Sequence, residues 1–205
     1  MRGVSAQRAI DFGYGTGNPP EVEAAFEATP PEMVAEILDG ELHVHPRPAP
    51  RHAAAQSDLH GYLFPFTKGT GGEGPGGWVI LIEPELHLGP RPDKIAPDLA
   101  GWRRERMPDR LGPEDGPGHY AVAPDWVCEV ISPRTEQVDR KKKMRIYRRE
   151  RVEHVWLVNP VEQLLEVYRL EGERYAVLDT FGGEDRVRVA PFEALELPLA
   201  ELWAK

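Results

Sequence analysis

The sequence has a single cysteine, no long apolar run and fewer basic than acidic residues, and each shortage excludes a class of protein. Because Cys128 stands alone, the chain can form neither an intramolecular disulfide nor a cysteine-ligated metal cluster. No apolar run approaches the roughly 20 residues that a membrane-spanning helix needs, and the N-terminus lacks the compact apolar segment of a signal peptide. We therefore expect a cytoplasmic protein with no membrane partner.

The charge balance argues against a protein that binds nucleic acid over its whole surface. Lysine and arginine number 25 against 34 aspartate and glutamate residues, for a formal net charge of −9, whereas nonspecific binding depends on neutralising phosphates. The basic residues are nevertheless concentrated, because eight of the 25 fall between Arg140 and Arg151. A local basic face on this segment is compatible with an acidic chain.

The chain is long enough for one domain, and it contains neither a repeat nor a linker. Residues 1–30 include the Gly/Pro-rich stretch 11–20, which predicts a segment that is flexible or draped on the surface. Its glycines Gly13, Gly15 and Gly17 loosely resemble a phosphate loop, but no strand precedes them and no lysine follows. We expect a single domain over residues 31–205.

Periodicity and turn signals predict an α/β fold with a mixed sheet flanked by helices. A short helix could open the chain over 31–38, and Asp39-Gly40 between alternating apolar residues then indicates an extra N-terminal hairpin over 35–45. Helices are predicted over 52–66 and 136–150. Strands are predicted over 78–88, 97–102, 126–131 and 155–158, followed by a hairpin over 164–180 and a short strand with a helical turn over 187–203.

The stretch Trp126–Ile131 predicts a fully buried strand, yet it contains Glu129. Burying an ionised carboxylate is costly unless a cation or hydrogen bonds compensate for the lost water. The structural alternatives are an ion pair with a nearby arginine, or a position at the sheet edge that faces water. We favour a functional role, because perturbed buried acids cluster at functional sites.

Asp98 is the second candidate, because Pro97 precedes it at the start of a predicted strand. Taken alone, it could equally be a capping or turn aspartate. Two carboxylates on neighbouring strands repel each other, and a divalent cation relieves that repulsion. Oxygen ligands favour Mg²⁺ or Mn²⁺ over zinc, so Asp98 and Glu129 together predict such a metal site.

The predicted helix 136–150 contains three consecutive lysines, of which one faces inward. At 100° per residue, Lys143 falls within the apolar arc, Lys142 lies at its edge and Lys141 lies outside it. A lysine beside a metal and two carboxylates can orient water or stabilise developing negative charge. The alternative is a lysine whose stem covers apolar surface while its ammonium reaches water.

The histidines and serines offer weaker candidates. His43 and His45 share one strand face, a spacing found in some zinc sites, but no third nitrogen ligand is evident. His52 opens a helix and could be a surface residue or could reach a site. Ser132 lacks the Gly-x-Ser-x-Gly context of a serine hydrolase.

Several spaced motifs together resemble the Uma-type restriction endonucleases, bacterial proteins of the PD-(D/E)XK nuclease superfamily. The resemblance covers residues 32–203, and its most specific part is Ser132-Pro-x-Thr135 followed by Asp139, Lys143 and Tyr147 at four-residue steps. The other matching segments are Glu36-Ile-Leu-Asp-Gly-Glu-Leu42, Pro50-Arg51-His52, Pro97-Asp98-Leu99, Glu129-Val-Ile131 and Val155-Trp-Leu-Val-Asn-Pro160.

The resemblance implies a restriction-endonuclease-like fold in which Asp98 and Glu129 bind the metal. The usual superfamily lysine, two residues after the second acid, falls on Ile131, and the Uma-type pattern instead uses a lysine on the next helix, here Lys143. The additional candidate site residues are Glu36, His52, Glu85, Asp139 and Tyr147.

Three hypotheses follow from these residues. The first is a Mg²⁺- or Mn²⁺-dependent endonuclease that hydrolyses DNA, with Asp98, Glu129 and Lys143 as catalytic residues and a homodimer as a compatible assembly. The second is a non-catalytic nuclease-fold module that binds nucleic acid or a partner protein. The third is a purely structural salt bridge between Glu129 and Lys143.

Overall fold

The computed structural model describes residues 17–67, 74–107 and 118–203, and the stretch Asp11–Thr16 with the preceding residues lies outside it. These described residues form three α-helices: α1 Pro20–Glu27, α2 Pro50–Thr67 and α3 Met144–Arg149, the last preceded by a π-helical segment, Val138–Lys143. The strands are β1 Met33–Leu38, β2 Glu41–Pro46, β3 Trp78–Ile82, β4 Leu86–Leu88, β5 Asp93–Ile95, β6 Leu99–Arg103, β7 Trp126–Val130, β8 His154–Asn159, β9 Leu164–Glu171, β10 Arg174–Gly182, β11 Arg186–Val187 and β12 Leu197–Pro198. A 3₁₀ turn, Leu199–Leu202, follows β12.

A mixed six-stranded sheet forms the centre of the fold, in the order β10-β9-β8-β7-β6-β3. Strands β7 and β8 are parallel, and the other neighbouring pairs are antiparallel. Every residue of β7 is buried, because neighbouring strands and both covering layers enclose it. This position confirms the prediction that Glu129 lies in a central, buried strand.

Two apolar clusters cover the two faces of this sheet. One cluster joins α2 and the C-terminal tail to Trp126, Cys128 and Val130 of β7, whereas the other contains Val127 of β7 together with side chains of α3. Successive strand residues point to opposite faces, so Glu129 faces the α3 side. The α/β sheet flanked by helices is therefore confirmed.

The predicted N-terminal hairpin is also confirmed, but the short helix expected over 31–38 is wrong, because strand β1 occupies Met33–Leu38. Strands β1 and β2 pair across Asp39 and Gly40, whose φ angles of 52° and 80° suit the two central positions of a tight hairpin turn. The hairpin belongs to a second sheet with the order β2-β1-β5-β4. It covers one side of the central sheet near the ends of β6 and β7.

The single strand predicted over 78–88 is wrong, because the chain divides it between the two sheets. Glu83 adopts a left-handed conformation with φ 45°, and Pro84 follows it. Consequently β3 joins the central sheet and β4 joins the small one. Ile82, at the end of β3, is 49% exposed, whereas Leu86 in β4 is fully buried.

The helices predicted over 52–66 and 136–150 both form, and one additional helix, α1, is present. Between Val138 and Lys143 the second helix has π geometry, with wider turns than an α-helix. Helix α1 lies within the predicted N-terminal segment and buries none of its residues, while Lys94 of β5 forms an ion pair with its Glu23 at 2.5 Å. The separation of an N-terminal segment, residues 1–30, from a single domain over residues 31–205 stays a prediction.

Within the described residues, no helix is long and apolar enough to cross a membrane.

Candidate active site

Glu129 has two partners at the bottom of a cavity on the α3 side of the sheet. Its side chain is 2% exposed; one carboxylate oxygen accepts a hydrogen bond from the Tyr147 hydroxyl, and the other lies 3.2 Å from Lys143 Nζ. Burial raises the pKa of Glu129 well above its usual value, although Lys143 opposes the shift. Glu129 therefore does form an ion pair, which was one of the structural alternatives, but its partner is a lysine rather than an arginine.

Lys143 lies among carboxylates rather than at the surface, so its predicted inward direction is confirmed and the solvent-reaching alternative is wrong. Its Nζ is 3.0 Å from Glu36, 3.2 Å from Glu129 and 3.5 Å from Asp139. Burial alone would lower the pKa of Lys143, but these carboxylates raise it well above the usual value. The side chain therefore remains an ammonium at physiological pH.

Asp98 immediately precedes β6 and reaches across to β7. One of its oxygens accepts a hydrogen bond from His52 Nε2 at 2.6 Å, and the other accepts the Val130 amide at 2.6 Å. Asp98 is therefore not a capping or turn aspartate, because the backbone amide that it accepts belongs to the neighbouring strand and not to its own turn. His52, in the first turn of α2, is buried, so its surface alternative is wrong.

Glu36 completes the group from β1. Its Oε1 accepts the Ala96 amide at 2.9 Å and approaches Lys143, whereas its Oε2 is buried and finds no hydrogen-bond donor in the described part of the chain. Burial raises the pKa of Glu36, but Lys143, His45 and the Ala96 amide together outweigh this effect and lower it. The result is an ionised carboxylate whose Oε2 has His45 Nε2 nearby, at 3.9 Å, beyond hydrogen-bond distance.

Acidic groups outnumber basic groups at this site. Four carboxylates, those of Glu36, Asp98, Glu129 and Asp139, are at most 12% exposed, yet Lys143 is the only buried lysine or arginine among residues 17–67, 74–107 and 118–203. Burial also raises the pKa of Asp139. An additional cation would relieve this repulsion, and the oxygen donors of Asp98 and Glu129 suit a hard divalent ion.

The site opens into a cavity of about 650 Å³ that lies between the hairpin, α2 and the π-helical segment. Asp98, Glu129, Lys143, His52, Asp139 and Glu85 all line this cavity. Two further candidates, Glu36 and Tyr147, contact Lys143 or Glu129 from behind it. Arg47 and Arg134 add positive charge to the cavity walls.

The predicted zinc pair does not meet at one point. His43 Nε2 lies 3.0 Å from Lys142 Nζ, whereas His45 Nε2 lies 3.9 Å from Glu36. Ser132 hydrogen bonds to Thr135 within the turn before the helix. Neither observation supports a zinc site on β2 or a serine nucleophile.

Gln56 was missed by the sequence reasoning. One helical turn beyond His52, its amide donates to the Asp98 carbonyl at 2.9 Å and to Glu83 Oε1 at 3.2 Å. The available signal was its i+4 spacing from His52, which places both side chains on one helix face.

Comparison with known proteins identifies the family. A family model described as "Putative restriction endonuclease" matches residues 22–200. The chain belongs to the Uma2 family. This confirms the resemblance, and the Uma2 family's description together with the fold supports a nuclease.

A solved structure supports the same fold for this Uma2 member. It is a crystal structure of a "putative nuclease belonging to DUF820" from Anabaena variabilis ATCC 29413, with a TM-score of 0.69 and 23% sequence identity. The match covers 89% of this chain and 96% of the other. A comparison with curated proteins finds no match.

Proposed function

We propose that this protein is a Mg²⁺- or Mn²⁺-dependent endonuclease of the PD-(D/E)XK type that hydrolyses phosphodiester bonds in DNA. The observation that carries the proposal is the excess of acidic over basic groups at the site, where four carboxyl groups accompany Lys143. A charged group buried without compensation is costly, so the cavity is suited to a cation. Family membership supports a nuclease as the enzyme class.

Asp98 and Glu129 are the residues that would hold the metal. When bound, the ion would supply a Lewis acid that polarises the phosphate and lowers the pKa of a bound water. Both carboxylates are oriented in advance: His52 and the Val130 amide hold Asp98, and Tyr147 holds Glu129. Such supporting contacts maintain ligand geometry and basicity in metal sites.

Lys143 acts in this scheme as a fixed positive charge rather than as a general base. The surrounding carboxylates hold its pKa well above the usual value, so it carries a proton throughout the physiological range. Because Lys143 lines the cavity, its ammonium can attract phosphate oxygens and stabilise the negative charge that develops on them. Arg47 and Arg134 would guide the backbone of the substrate into the same cavity.

The test is metal-dependent nicking of supercoiled plasmid DNA. We expect the wild-type protein to nick DNA with Mg²⁺ or Mn²⁺ and to lose activity with EDTA. Asp98→Asn and Glu129→Gln should each lower the rate by about 100-fold or more, the scale on which a preorganised electrostatic group contributes. The exposed Glu162→Gln is the matched control and should retain full activity.

The main alternative is a non-catalytic module that binds nucleic acid or a partner protein. The net charge of −9 and Ile131 at the usual lysine position favour it. A salt-sensitive shift of DNA without cleavage by the wild-type protein under any of these metal conditions would select this alternative. Loss of that shift on charge reversal of Arg145 and Arg148 would strengthen it.

The structural hypothesis accounts for less of the site. A lone Glu129–Lys143 salt bridge needs no further acids, whereas Glu36 and Asp139 also surround the ammonium. A cytoplasmic location and a homodimer, which would offer one site to each DNA strand, remain part of the proposal. Sedimentation velocity would test the dimer.

A further inference from the structure

Two imidazoles and a carboxylate meet beside β4, outside the group of acids around Lys143. Ligand atoms of Glu85, His87 and His119 all lie within 4.8 Å of one another. The Glu85 carboxylate accepts a hydrogen bond from His87 Nε2 at 2.6 Å, and the His87 and His119 rings stack with centroids 3.5 Å apart. The proposed nuclease chemistry uses neither histidine.

Backbone pairing positions these three side chains. Glu85 and His87 are two residues apart and therefore share one side of the extended chain. The Tyr120 amide donates to the Glu85 carbonyl at 2.9 Å, and the His87 amide donates to the Tyr120 carbonyl at 2.9 Å. His119, next to Tyr120, is thereby brought against β4 from a distant part of the sequence.

The donor set has the chemistry of a transition-metal site rather than of a magnesium site. Two imidazole nitrogens and one carboxylate oxygen, with water in the fourth position, form a tetrahedral set that suits Zn²⁺, whereas Mg²⁺ prefers oxygen ligands alone. Lys94, which pairs with His87 between β4 and β5, is engaged by Glu23 at 2.5 Å.

The rings must turn when an ion binds. Their planes are 10° from parallel, and two parallel stacked imidazoles cannot both direct an in-plane lone pair at one ion. Rotation of the rings about their Cβ–Cγ bonds would allow convergence, and it would exchange the Glu85–His87 hydrogen bond for metal ligation.

We propose that Glu85, His87 and His119 form a second cation site that binds Zn²⁺ and fastens β4 to the chain at His119. Glu85 also lines the large cavity, so this site lies beside the cavity that contains Asp98 and Glu129. The inference does not depend on nuclease activity, because it rests on a different donor set.

The test uses full-length protein freed of metal with EDTA and then titrated with Zn²⁺ in the presence of excess Mg²⁺. Calorimetry should detect one Zn²⁺ per chain, and binding should raise the thermal unfolding temperature. His87→Gln and His119→Gln should each weaken Zn²⁺ binding by more than about 100-fold. This exceeds the loss that usually follows when a residue that only hydrogen bonds to a metal ligand is replaced. His60→Gln on α2 is the matched control and should bind as the wild type does.

A second readout keeps the proposal falsifiable if a variant fails to fold. In ¹H–¹⁵N spectra of the wild-type histidine rings, Zn²⁺ should shift nitrogens of both His87 and His119. The Asp98→Asn, Glu129→Gln double variant should show the same shifts, which separates this site from the acid pair. Unchanged resonances of these two rings, or equal Zn²⁺ affinity in folded His119→Gln and wild-type protein, would overturn the proposal.

Discussion

Replacing Lys143 by methionine would leave Glu36, Glu129 and Asp139 without the ammonium that now lies 3.0–3.5 Å from each of them. Methionine has a similar volume, so the change removes charge with little loss of packing. Removing one partner of a buried ion pair typically costs about 3–5 kcal/mol of unfolding free energy, because the remaining charge stays buried and uncompensated. We expect a loss in this range at pH 8.

The loss of unfolding free energy caused by Lys143→Met should be smaller at pH 5 than at pH 8, because stability is linked to proton binding. Glu129 already has a pKa raised well above its usual value, and removing Lys143 raises it further. Between the unfolded and folded pKa values the native state binds the additional proton, so stability falls as pH rises through this window, by at most about 1.4 kcal/mol per pH unit for each such group. Protonation at pH 5 therefore recovers part of the lost stability.

Urea denaturation at the two pH values measures both effects. The exposed neighbour Lys141→Met is the matched control, and it should change stability by less than about 0.5 kcal/mol at either pH. Equal stabilities of the Lys143→Met and Lys141→Met proteins, or a loss of stability from Lys143→Met that is larger at pH 5 than at pH 8, would refute the account of the buried charges.

Three further substitutions test the surroundings of the site. His52→Ala removes the 2.6 Å contact with Asp98 and should weaken Mn²⁺ binding by about 10–100-fold in calorimetry, as losses of supporting contacts do. Tyr147→Phe leaves a Glu129 oxygen without its hydroxyl partner and should cost about 1–3 kcal/mol in urea denaturation, with the loss largest at high pH. Phe192→Ala empties the centre of an aromatic cluster and should cost about 3–5 kcal/mol while leaving Mn²⁺ affinity unchanged.

The parts of the site that could be predicted are those whose signal is local. Glu129 is conspicuous because it interrupts an apolar strand, and its burial follows from the neighbouring residues. Lys143 is selected by helical periodicity, and the prediction survives the π-helical geometry because residues four apart still lie on the same side of the helix, as the 3.5 Å contact between Lys143 and Asp139 shows. The hairpin follows from Asp39-Gly40, which has a well-defined turn preference.

The parts that could not be predicted depend on contacts between distant segments. The break between β3 and β4 arises at Glu83, whose left-handed conformation is unusual for a glutamate. The contacts of Gln56 with the carbonyl of Asp98 and of Glu36 with Lys143 join residues far apart in sequence. The approach of His119 to β4 likewise becomes evident only in the folded chain.

The most direct test of the central claim is anomalous diffraction at the manganese edge from crystals soaked in Mn²⁺. The account predicts an anomalous peak between the carboxylates of Asp98 and Glu129, which disappears in Glu129→Gln crystals soaked in the same way. No peak between these carboxylates at a Mn²⁺ concentration that supports DNA cleavage would contradict the assignment of this acid pair as the metal site.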